Sequence, residues 1–174
     1  PIPLDDQLAE ALKLGAGDFI QRTHWPNIDL IGAQLNLYWA EFQIPVWRMA
    51  ARGWKLWDAL TESLTAEGVL ERYDLVILDT PPALGYLTIN GLAAADILLV
   101  LTGASFLEFD STGRFFDMLH ATFQSIEEGE NLAARALGRP ELAFEWDAVR
   151  AIVTRYDGMQ QAELAGLMQA WLGR

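Results

Sequence analysis

Asp79 is the residue of this chain best placed for chemistry. It follows four consecutive apolar residues, Leu75 to Leu78, and precedes Thr80-Pro81-Pro82. The apolar run is too short and too β-branched for a helix and reads as a buried strand of a parallel sheet. Two prolines stop any continuation of the ladder. A carboxylate at the carboxyl end of such a strand lies where open α/β sheets place ligands. The rival reading is an aspartate that only caps the loop after a core strand. Other candidates are thinner. Ser111-Thr112-Gly113 offers hydroxyls with no base at a matching position, and a helix start at Asp110 or Ser111 is the better reading. His24 and His120 are too few and too separated for a metal centre. The chain has no cysteine, which excludes disulfides and thiolate metal sites.

The string continues through Ala83-Leu84-Gly85-Tyr86, Asn90-Gly91-Leu92 and Ala93-Ala94-Ala95-Asp96 into a second apolar run. In that order it closely resembles the ParA/MinD family of deviant-Walker ATPases, most of all the plasmid-partitioning ParA proteins of RepA type. The resemblance makes residues 73–95 the Walker B and switch II region. It implies that Asp79 is the catalytic and metal residue, orienting Mg²⁺ at the phosphates of ATP, commonly through water. Thr80, Pro81, Pro82, Gly85 and Tyr86 would belong to the switch that senses the γ-phosphate and signals to a dimer face. Further on, Ala148 to Thr154 reads as a third buried strand, and Arg155-Tyr156-Asp157-Gly158 turns it. This stretch resembles the Leu-Thr-Arg-Tyr/Phe segment of RepA-type proteins. Thr154 and Arg155 are thereby candidate nucleotide-binding residues at the base or ribose, with a surface cap or ion pair as the alternative for Arg155.

Part of the family's machinery is missing from the sequence. A phosphate loop, Lys-Gly-Gly-x-Gly-Lys-(Ser/Thr), brings backbone N–H groups and lysines to the phosphates. This chain has two lysines, Lys13 and Lys55, and neither sits in such a loop. Gly15-Ala16-Gly17 is followed by Asp18, whose charge repels phosphate, so a helix-ending turn is the better reading. The family's Asp-x-Asp-Pro-Gln segment is absent as well. In the second apolar strand, Leu101-Thr102 stand where many members place a Pro before a small residue. The chain opens at Pro1 and closes at Arg174, and family members continue past both points. The expectation is a fragment of a partition ATPase, inactive for ATP hydrolysis alone, or a relative that has lost its phosphate loop.

The elements that must position these residues are those of an α/β fold. We expect one domain over residues 1–174, three-layered, with a mostly parallel sheet and flanking helices, a partial P-loop NTPase fold. At 174 residues and 52% apolar content the chain can bury a sizeable core. Leu4, Leu8, Ala11, Leu12 and Leu14 form a helical stripe. Phe19 to Trp25 continues to a turn at Pro26-Asn27, and Ile28 to Gly32 reads as a strand. Asn36 or a neighbour caps the next helix, which Pro45 interrupts. A longer helical region spans Val46 to Leu70. Trp47, Trp54 and Trp57 on it give either a core stripe or a dimer or docking face. Asp96 to Thr102 is the second buried strand. Phe106 to Phe123 is a helix covering the sheet, Glu127 to Pro140 a loop or boundary, and an amphipathic helix closes the chain.

Composition narrows the function. The net charge is −12, from 24 acidic and 12 basic residues, which works against nucleic-acid binding by this piece. No run of eighteen apolar residues exists to span a membrane. The resemblance implies an ATP-driven dimer switch in DNA segregation, in the bacterial cytoplasm and at the nucleoid. ATP and Mg²⁺ are the implied cofactors. A ParB-type centromere-binding protein, a second copy and non-specific DNA are the implied partners of the full-length protein. The alternatives are a non-catalytic interaction protein without nucleotide chemistry, or a MinD-like positioning ATPase. The second would need a basic amphipathic helix, and Met159 to Leu172 has neither Lys nor Arg. Apolar surface left uncovered should make the isolated chain associate.

Overall fold

The computed structural model describes residues 16–50, 55–66, 68–155, 166 and 169–170. The fold is α/β, with a parallel strand pair and flanking helices. The chain forms two compact units, Pro1–Ala94 and Ala95–Arg174. The helical stripe of residues 4–14, Lys13, the side chains of Trp47 and Trp54, and nearly all of the closing helix lie outside the described residues.

In the first unit, β1 (Ile20–Arg22) and β2 (Asp29–Ile31) pair antiparallel, with Ile20 opposite Ile31 and Arg22 opposite Asp29. Residues 19–25 are therefore not a helical continuation. The strand expected at 28–32 is half of a hairpin. The turn between them explains this: Pro26-Asn27 favours chain reversal, and the Thr23 amide donates to the Ile28 carbonyl at 3.3 Å. A 3₁₀ turn at Leu35–Trp39 leads into α1 (Ala40–Ala50). It is entered at Gln34 with no side-chain cap; the side chain of Asn36 lies outside what is described. Pro45 lies within α1 and does not end it. After α1 come α2 (Ala59–Ala66), α3 (Val69–Arg72) and α4 (Tyr86–Ala93). Ile44, Trp57, Leu64 and Val69 form the buried core of this unit. Trp57 is thus a core residue, whereas Trp25 and Trp39 are exposed.

The largest departure from the sequence reading is at Leu75 to Leu78. These residues pair with no described strand, and Leu75 and Ile77 are 74% and 80% exposed. A strand is defined by its partners, and none of the described residues lies alongside to satisfy this backbone.

In the second unit, β3 (Ile97–Gly103) and β4 (Ala148–Thr154) pair in parallel over seven positions, from Ile97 opposite Ala148 to Gly103 opposite Thr154. Both strands lie where the apolar runs place them, but they are not buried throughout as expected: no residue of β4 is buried, and Ile97, Leu99 and Leu101 of β3 are exposed. Between them runs α5 (Phe106–Leu137), which packs on β3. Leu98, Ala104, Leu119 and Phe123 are buried. The Phe123 ring meets those of Phe144 and Trp146 edge-on, at 4.7 and 5.1 Å between centroids.

Both ends of α5 differ from expectation. It starts after Ser105, not at Asp110 or Ser111. The Ser105 hydroxyl accepts from the Glu108 amide at 3.2 Å and donates to the Glu108 carboxylate at 2.8 Å, a Ser-x-x-Glu capping pair. Thr112 is buried in the first turns, its hydroxyl 2.8 Å from both Thr102 Oγ1 and the Glu108 carbonyl. Residues 127–137, expected as loop, are helical. Their polar side chains serve the returning chain: Asn131 Nδ2 donates to the Leu142 carbonyl at 2.8 Å and its Oδ1 accepts from the Leu142 amide at 2.6 Å. Glu127 Oε1 accepts from the Phe144 amide at 2.6 Å. The helix ends at Gly138, whose φ of +62° closes a Schellman turn, with Arg139 N donating to the Ala134 carbonyl at 2.9 Å.

Candidate functional site

Residues 79–93 in the first unit form a loop folded onto the start of a helix. Asp79 is exposed, and no described residue hydrogen-bonds or ion-pairs with its carboxylate. The segment after it is pinned. The Thr88 hydroxyl, in the first turn of α4, lies 2.6 Å from the Ala83 carbonyl and 3.3 Å from that of Pro81. The Gly85 amide donates to the Ala83 carbonyl at 2.9 Å. Thr80 packs so closely on α4 that a Cβ at Gly91 would stand 2.8 Å from its methyl carbon. Pro81 and Pro82 are exposed, and Gly85 and Tyr86 are half-buried. Thr80, Pro81, Pro82, Gly85 and Tyr86 are thus brought together in one segment that starts at a carboxylate without a partner among the described residues.

Two further residues hold that segment. Glu41, in the first turn of α1, accepts from the Tyr86 amide at 2.7 Å and the Leu87 amide at 3.0 Å. Asn90 is buried in α4. Its Nδ2 donates to the carbonyls of Leu56 and Tyr86 at 2.6 and 2.9 Å, and its Oδ1 accepts from the Leu60 amide at 3.2 Å. At the start of the apolar run, Tyr73 donates its phenol to Asp29 Oδ2 at 2.8 Å. That bond favours the neutral phenol and raises its pKa above the ordinary tyrosine value.

Thr154 and Arg155 belong to the second unit, at the carboxyl ends of β3 and β4. The Thr154 hydroxyl donates to the Thr102 carbonyl at 3.3 Å. Arg155 has a φ of +53°, a left-handed conformation uncommon for a residue with a side chain. Its guanidinium is ion-paired with Glu108, which also holds Ser105. A Cβ at Gly103 would run into that carboxylate, so glycine leaves room for it at the strand end. The Ser105-x-x-Glu108 spacing is a readable capping signature. The Glu41 contact spans 45 residues and leaves no such trace.

Among the described residues no group of three His, Cys, Asp or Glu could hold a metal ion. Lys55 lies 3.8 Å from Asp58 in an ordinary surface pair. No described helix is long and apolar enough to cross a membrane.

A family model described as an AAA domain matches residues 5–131. A putative replication protein A from Sinorhizobium fredii is 30% identical over 97% of this chain and 40% of its own length. The chromosome-partitioning ATPase Soj of Thermus thermophilus is 37% identical over 58% of this chain and 32% of its own. The chain therefore spans two fifths or less of these relatives. A solved structure titled Partition Protein superposes with a TM-score of 0.62 at 23% identity, over 94% of this chain and 43% of that one, a likeness of fold.

Proposed function

The chain belongs to the ParA/MinD family through the AAA domain that occupies residues 5–131, and on that premise we propose that it is part of an ATPase that partitions plasmids or chromosomes. The carrying observation is the segment 79–86, an exposed carboxylate with no partner among the described residues, followed by a loop pinned to the start of α4. Asp79 is the proposed catalytic and metal residue. A lone exposed carboxylate fits Mg²⁺, which keeps several waters and takes one or two carboxylates beside phosphate oxygens. Bound MgATP would supply the γ-phosphate whose presence or loss the protein reports. Thr80 to Tyr86 form the proposed switch, able to change order when Asp79 is engaged. Thr154 and Arg155 are proposed at the base or ribose; Arg155 would have to exchange Glu108 for the nucleotide.

We assign the remaining properties to the whole protein. It would work as an ATP-dependent homodimer in the bacterial cytoplasm, on the nucleoid, with a ParB-type partner. Non-specific DNA binding fits other surfaces better than this one, given 24 acidic against 12 basic residues.

ATP turnover by the longest protein carrying this sequence tests the reading. Slow turnover is expected, falling at least about a hundredfold in Asp79→Ala with the fold kept by circular dichroism. Undiminished turnover in that variant would remove Asp79 from the mechanism. A folded protein that neither binds nor hydrolyses ATP would make the non-catalytic interaction reading the correct one.

A further inference from the structure

The start of a helix leaves N–H groups without intrahelical partners, and a side chain at the cap usually takes one. At α4 the cap is Gly85, which has no side chain, and Thr88 is turned to the carbonyls of Ala83 and Pro81. The donors of Tyr86 and Leu87 are instead taken by Glu41, one by each carboxylate oxygen. The contact is bidentate and charge-assisted, and the carboxylate also meets the positive end of the helix dipole. Gly85 belongs to the same arrangement: a Cβ there would lie 2.6 to 2.9 Å from the carboxylate atoms of Glu41.

We infer that Glu41 is a positioning residue for the segment 80–86, a carboxylate from α1 that clamps the amino end of α4 and so fixes the shape of the loop after Asp79. Apart from the packing of Thr80 on Gly91, the loop has few other ties. Pro81, Pro82 and Ala83 are exposed, and its internal bonds run through Thr88 and Gly85, which sit at the clamped end. With the clamp closed, the first turn of α4 presents the Thr88 hydroxyl to the loop carbonyls of Ala83 and Pro81. With the clamp open, that turn frays and the loop loses its anchor. Glu41 thereby links α1 to the proposed switch. Its role in turnover rests on the switch reading above; the clamp itself does not.

Residue-resolved amide hydrogen exchange on the full chain tests the clamp, with Glu41→Ala, Glu41→Gln and Gly85→Ala. Exchange at Tyr86 and Leu87 should quicken roughly fivefold or more in Glu41→Ala, the factor an ordinary lost cap implies. The amides of β3 should keep their rates. Glu41→Gln keeps one neutral acceptor of the same shape and should give a smaller increase at the same two amides. Gly85→Ala should quicken them by displacing the carboxylate. If Glu41→Ala unfolds the chain, Glu41→Gln decides, and unchanged exchange at Tyr86 and Leu87 in it overturns the inference. In the longest protein, Glu41→Gln should lower kcat several-fold with KM nearly unchanged. Local acceleration with an unchanged kcat would uphold the clamp and overturn the switch role of residues 80–86.

Discussion

Asn90 is buried and spends every polar atom of its amide on three backbone groups. Truncating it orphans the Leu56 carbonyl and the Leu60 amide, whereas the Tyr86 carbonyl lies within α4. At 1–3 kcal/mol for each buried unpaired group, Asn90→Ala should cost roughly 2–4 kcal/mol, read as a lower urea midpoint. Loss of less than about 0.5 kcal/mol would show that the site relaxes or hydrates. A contrasting case is Glu141, which Arg135 holds by two hydrogen bonds at 2.8 and 3.0 Å. The hydrogen bond from Arg135 lowers the Glu141 pKa below the ordinary glutamate value; desolvation opposes it and the Arg135 charge adds to it. A depressed folded value means that the stabilisation is present above the unfolded pKa and is lost as pH falls through the folded one. Both side chains are exposed, so the consequence for stability is minor. The titration itself is the useful readout: by NMR, Glu141 should titrate below the ordinary range and return to it in Arg135→Ala.

At the scale of elements, α5 depends on its two ends. Ser105→Ala removes the side-chain cap of its first turn and should cost about 1 kcal/mol. Gly138→Ala places a side chain at a φ of +62° and should cost roughly 1–2 kcal/mol. Both are read from denaturant midpoints, and a neutral Gly138→Ala would show that the turn can be rebuilt. The same helix shows what local pattern conveys. Its start was available in the Ser-x-x-Glu spacing. Its length was not, because the two glutamates from Glu127, then Gly129 and Glu130, suggest a loop or boundary. Glu127 and Asn131 face the backbone of Phe144 and Leu142 instead, which only the returning chain reveals. Strands β3 and β4 were readable from their apolar runs, as both are bounded by turn residues. Leu75 to Leu78 has the same composition, yet forms no ladder with the described residues.

For the whole molecule, charge and apolar surface compete. Leu99 and Leu101 on β3 are 60% and 67% exposed, on the strand whose Leu98 and Thr102 are buried. Burying such a side chain gains about 1.5–3 kcal/mol. The net charge of −12 opposes association, but exposed charges are screened beyond about 8 Å at physiological salt. The apolar term should win there and weaken at low salt. Sedimentation of the chain should give a mass above 19.4 kDa in physiological salt and a lower one in dilute buffer. Leu99→Lys with Leu101→Lys should shift it toward the monomer. A monomer at all concentrations would show that this face needs no cover.

The sequence by itself determined the family, through the string from Asp79 to Asp96, and the places of β3 and β4. Both are written in consecutive residues, where composition and spacing are local quantities. It also singled out Asp79, because a carboxylate after an apolar run and before two prolines is a local pattern. Only the tertiary structure decided that Glu41 and Asn90 hold the segment after Asp79, that Glu108 holds Arg155, and that residues 20–31 form a hairpin. Those outcomes turn on which backbone groups lack a partner once the chain has folded, and a residue 45 positions away can supply one without leaving any periodicity behind.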